Sequence, residues 1–142
     1  MIENFGYYLR KNMAKKESPD PVEARSLLEK ALLRLEYIEK NRINEKSATF
    51  IFEDIYDCLR EASQSVMSKK GYKPYSHEAI IAFLKEFIGF SEFEISVLNR
   101  YRILRNNCVY RAEKVSKQTC IDALEFTKKF IPKIKKEFGT RK

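Results

Sequence analysis

Between Asp20 and about Phe138, apolar residues return every three or four positions, the period of an α-helix. Leu28, Leu32, Leu35 and Ile38 mark one such face, and Ile51, Ile55, Leu59, Ala62 and Val66 mark a second. Start and stop signals divide the pattern. "DPVE" at Asp20–Glu23 offers a capping aspartate, a proline at the first helical position and a glutamate at the third. Asn44 or Ser47 opens the next helix, which Gly71 closes. Ser76 opens a shorter helix ending at Gly89. Ser91 and Glu94 form a capping box, and Ser116 starts a last helix reaching about Phe138, with Pro132 as a candidate kink. Residues 2–16 show a weaker amphipathic pattern through Ile2, Phe5, Leu9 and Met13. "GYKPY" reads as a loop, because Pro74 biases Lys73 away from helix. No segment alternates as a half-buried strand does. The pattern predicts one all-α domain over residues 1–142, an antiparallel up-and-down bundle of about five to six helices, with a mobile basic tail at 139–142.

The helix after Ser91 breaks its own pattern. At about 100° per residue, Phe93, Val97, Tyr101, Leu104 and Cys108 share one side, with Leu98 and Val109 farther round. Arg105 falls between these groups, inside the apolar arc. Arg102, Asn106 and Tyr110 form a polar row beside it, with Ile95 among them. This helix is expected to be central, with Val97, Tyr101, Leu104 and Cys108 buried. A buried guanidinium without a partner costs several kcal/mol, so the site must pair it or leave it wet. Glu53 or Asp57 on a neighbouring helix is one source of a partner. The alternative is a cleft or subunit interface. There arginine grips phosphate, asparagine reads base edges and tyrosine stacks. On that reading Leu98, Val109 and Ile95 face a second subunit, and two copies of Arg105, Asn106 and Tyr110 converge.

Charge favours an anionic partner. Residues 1–71 carry 13 basic and 12 acidic side chains, and residues 72–142 carry 15 and 8. The excess gathers in "KKFIPKIKKEFGTRK", which reads either as a solvated face or as a nucleic-acid footprint. Cys58, Cys108 and Cys120 form no CxxC pair, and their odd number argues for buried free thiols in a reducing cytoplasm. The N-terminus lacks the apolar segment of a signal peptide, and "AIIAFL" is too short to span a bilayer. No glycine-rich phosphate loop or acidic metal cluster is present, so no cofactor or metal is expected. His77, the one histidine, follows a capping serine and reads as loop structure.

At "LRNNCVYR" the chain resembles the HEPN family of small helical proteins. Their motif is an arginine, a polar follower such as asparagine, and a histidine a few residues on. Arg105 and Asn106 match the first two, and Tyr110 stands in the histidine's place, as in an Arg-x4-Tyr branch of the family. The helix order over about residues 20–138 is similar too: a long aromatic-rich helix, a loop with Ser-His, the motif helix and a long amphipathic final helix. The resemblance implies a helical bundle that dimerises with its two motifs across a cleft. Many members are metal-independent endoribonucleases, often toxins paired with a minimal nucleotidyltransferase; others are RNA-binding or partner-binding modules. A tyrosine of pKa about 10 is a poor base at neutral pH, where a histidine near 6.5 is well matched. The resemblance therefore implies a cytoplasmic, homodimeric RNA-binding module with weak or no ribonuclease activity. Arg102, Arg105, Asn106, Tyr110 and Arg111 are the candidate nucleic-acid contacts, and Arg105 and Tyr110 the candidate catalytic pair if it is active. An active toxin ribonuclease and a nucleotidyltransferase's interaction subunit are the alternatives.

Overall fold

A computed structural model describes residues 1–139; of the expected mobile tail at 139–142, residues 140–142 lie outside the described residues. Six α-helices dominate: α1 (Phe5–Arg10), α2 (Pro21–Glu39), α3 (Ala48–Lys70), α4 (His77–Phe83), α5 (Glu92–Arg111) and α6 (Lys117–Lys136). A π-helical turn, Leu84–Ile88, continues α4 to Gly89. Among the described residues no helix is long and apolar enough to cross a membrane.

The capping residues act as the sequence suggests. Asp20, Ser76, Ser91 and Ser116 each accept the backbone N–H three residues on, and Glu94 returns a bond to the Ser91 N–H. Asn44 and Ser47 divide one task. Ser47 occupies the cap position of α3, and the Asn44 carboxamide accepts the Lys46 and Ser47 N–H groups, each at 2.9 Å. α6 runs on past Pro132 to Lys136.

Four expectations need correction. The first helix ends at Arg10, not near residue 16: Asn12 turns the chain with φ 60°. Ala14–Lys16 (β1) then pairs antiparallel with Tyr72–Pro74 (β2), in the register Ala14↔Pro74 and Lys16↔Tyr72. The supposed loop "GYKPY" is therefore partly strand. The preference that Pro74 imposes on Lys73 is extended backbone, which a neighbouring segment can pair with. Strands of three residues are too short to display an alternation.

The central helix is α3, not α5. Fourteen α3 residues are buried against five in α5, and α2 and α6 both pack along α3. Hydropathy hides this, because Glu61, Ser63, Ser65 and Ser68 are buried polar residues. Ser63 and Ser65 donate to the Leu59 and Ala62 carbonyls at 2.7 and 2.6 Å, which removes the cost of burying their hydroxyls.

The arc of α5 also divides differently. Val97, Tyr101 and Cys108 are buried, Leu104 is only half-buried and Phe93 is exposed. Ile95 and Leu98, expected at a subunit interface, are buried in the chain's own core. The three cysteines are free and buried, as expected.

Gly71 joins α3 to β2 at φ 88°, a left-handed conformation that disfavours side chains. An added Cβ would lie 2.6 Å from the Glu17 carbonyl oxygen, which is backbone and cannot swing aside. Gly71→Ala is expected to cost at least about 2 kcal/mol, combining the left-handed penalty with this clash. Urea unfolding checks it.

Candidate functional site

α3, α4 and α5 meet around a polar hollow of about 310 Å³. α3 contributes Arg60 and Gln64, one turn apart on one face. The segment entering α4 contributes Pro74, Tyr75, Ser76 and His77, and α5 contributes Arg105. The anomalous arginine thus points neither into a solid core nor freely into solvent; its side chain is 21% exposed.

Arg105 has company but incomplete satisfaction. Its Nη2 lies 3.9 Å from Asp57 Oδ1, and its guanidinium carbon lies 5.8 Å from the centre of the Tyr56 ring. Asp57, one of the two expected acids, is therefore present, but at the long limit of an ion pair. The same oxygen accepts from Arg60 Nη2 at 3.5 Å. Arg105 Nε is enclosed and has no hydrogen-bond partner among the described residues. Such a donor is costly to bury unsatisfied. Arg102 is better engaged: its Nε donates to Asn99 Oδ1 at 2.9 Å, and its Nη2 lies 3.9 Å from Glu78. Three guanidinium groups thus gather beside two carboxylates.

His77 belongs to this cluster and is not merely loop structure, which corrects the sequence reading. Its Nδ1 lies 3.2 Å from the Tyr56 hydroxyl, and the two rings are 5.5 Å apart at 31°. Burial first, then the charges of Arg105, Arg60 and Arg102, hold the imidazole below its ordinary pKa against the opposing Asp57. Burial pushes the Tyr56 hydroxyl up to about 12, despite the same arginines. Near pH 7 the pair is a neutral imidazole and a protonated phenol.

The candidate residues of "LRNNCVYR" do not all line the hollow. Arg105 lines the hollow, Asn106 is half-buried, and Tyr110 (77% exposed) and Arg111 stand in solvent. Tyr110 does not line the hollow. Sequence reasoning missed Tyr56, Arg60, Gln64 and His77. Only the placement of Arg60 and Gln64 beside Asp57 on one helix face was there to be read; the bond from Tyr56 to His77 is tertiary.

A larger hollow of about 840 Å³ lies where the start of α3 meets the α5–α6 connection. It is mainly apolar, with Glu45, Glu53 and Glu113 facing Lys46 and Lys114, a poorer setting for an anion. On α6 the basic run forms an exposed face behind buried Phe130, Ile131 and Ile134. Two of its lysines are paired, Lys133 with Glu94 and Lys128 with Glu39 at 3.7 Å. No family model matches the chain, and no curated protein matches it significantly.

Proposed function

We propose that this chain is an HEPN-like, up-and-down helical RNA-binding module that works as a homodimer with weak or no ribonuclease activity. One observation carries the reading: the enclosed, unpartnered Arg105 Nε beside Arg60 in a hollow where guanidinium groups outnumber carboxylates. A phosphate oxygen is the acceptor such a fork lacks. From that seat, Asn106, Tyr110 and Arg111 lead outward along α5, so a strand gripped at Arg105 has an amide, an exposed ring and a further cation to run across. Weak catalysis follows from Tyr110 lying outside the hollow and from the poor basicity of a phenol at neutral pH. Because Ile95 and Leu98 are committed to the core, a dimer uses the exposed Ile103 and Val109 instead, leaving Tyr110 to the RNA.

The test is a titration with fluorescent single-stranded RNA at several salt concentrations. The expected result is binding that weakens with salt, with a logarithmic slope of about −0.7 for each phosphate neutralised. Absence of binding at low salt contradicts the reading.

A further inference from the structure

We propose that the hollow between α3, α4 and α5 is a phosphoryl-binding site in which His77 takes up a proton as the anion binds. The inference deepens the RNA reading and rests on it only for the source of the phosphoryl group. The chemistry rests on the residues around the ring.

His77 is oriented by its neighbour. The Tyr56 hydroxyl lies 3.2 Å from Nδ1 and keeps its proton; in the tautomer with the ring proton on Nε2 it donates that bond, which leaves the Nε2–H for a ligand. Nε2 has no protein partner among the described residues, and His77 lines the hollow together with Arg60 and Arg105. With the guanidinium groups of Arg60 and Arg105 beside the imidazole, the wall offers an anion N–H donors from three residues.

The charges around the imidazole set the direction of the linkage. α3 presents Arg60 and Asp57, α5 presents Arg102 and Arg105, and Glu78 follows His77 on α4. Without an anion, the guanidinium groups oppose a second charge on the ring. A phosphoryl group seated among them cancels that repulsion and gives a protonated Nε2 an acceptor. Binding therefore raises the proton affinity of His77, and by linkage anion affinity rises as pH falls through the histidine range and levels off above it. A phosphodiester keeps its charge from pH 8 to 5.5, so with RNA as probe this slope belongs to the protein.

His77 is the chain's one histidine, so its imidazole NMR signals are assigned without ambiguity. Inorganic phosphate, added to the full chain at constant ionic strength, is expected to move the His77 titration midpoint upward. A rise of one unit makes RNA binding tighter in acid than at pH 8 by a factor that approaches about ten only below the free protein's midpoint, and that is several-fold at pH 5.5. His77→Gln keeps an N–H donor but cannot titrate, so whatever affinity it retains at pH 8 should persist unchanged to pH 5.5, without the pH slope. A midpoint unmoved by phosphate overturns the proposal, as does a slope that persists in His77→Gln. RNA binding that depends on Arg105 but not on pH also overturns it and leaves the RNA reading standing. A midpoint that moves with phosphate in a chain that binds no RNA supports the phosphoryl site and removes RNA as its source. Oligonucleotides with and without a 5′-phosphate separate the sources: a preference for the phosphorylated strand that Arg105→Met abolishes assigns the hollow to an RNA end, and equal binding assigns it to the backbone.

Discussion

Arg34→Met should destabilise the fold by about 3–5 kcal/mol, the usual range for breaking one side of a buried ion pair. Glu61 is only 2% exposed in the middle of α3. Arg34 on α2 holds it with a two-pronged bond, Nε to Oε1 at 2.9 Å and Nη2 to Oε2 at 2.8 Å. Lys30 adds a third contact at 3.4 Å from an exposed position, which puts the expected loss toward the lower end. Lysine at position 34 should not restore stability, because an ammonium cannot make the fork. Removing both charges with Arg34→Met and Glu61→Leu should cost far less than the sum of the single changes, since no buried charge is then left unpaired.

The effect has a defined pH dependence. Burial acts to raise the Glu61 pKa, but hydrogen bonds and charge from Arg34, with Lys30, overcome it and hold the carboxyl below its ordinary value. A depressed carboxyl contributes stability that is complete above its unfolded value, about 4.3, and is lost as pH falls through the lower folded value. The gap between wild type and Arg34→Met should therefore be full at neutral pH and narrow in acid. Urea unfolding at pH 7 and pH 3 measures it.

That pair also shows why hydropathy misplaced the centre of the bundle. Glu61 and the serines of α3 look like a solvent face along the chain. Their partners lie on α2 or on their own helix's carbonyls, and Ser68 reaches Glu23 at 2.6 Å. Once satisfied, such groups are compatible with burial. Helix ends were legible because a cap is local, a side chain bonding an N–H three residues away. The β1–β2 pairing was not, because it joins segments far apart in the chain. In the site, Arg105 stood out as a charge in an apolar arc, and Asp57 was one of two acids named for it. The surrounding wall was hidden. Arg60 and His77 come from other helices, and only the packed fold places two guanidinium groups and an imidazole around one hollow.

Arg105→Met is expected to weaken RNA binding by about tenfold to a hundredfold, the loss of a charge-assisted fork of about 1.5–3 kcal/mol. Methionine keeps much of the stem's packing, and it removes the unsatisfied Nε together with the charge. The ion pair with Asp57 is long and that carboxylate is shared with Arg60, so stability should change by less than about 1 kcal/mol. The two effects thus separate. Substituting an exposed lysine of α6, such as Lys135, should lower affinity only slightly and mainly through salt-dependent attraction.

Fluorescence anisotropy of a labelled single-stranded RNA, titrated at low salt with wild type, Arg105→Met and Lys135→Met at matched helical content, decides whether Arg105 is a phosphate ligand. Wild type and Lys135→Met are expected to bind with similar affinity, and Arg105→Met at least about tenfold more weakly. Equal binding by wild type and Arg105→Met, with only stability altered, would contradict that role and leave Arg105 as the ion-pair partner of Asp57.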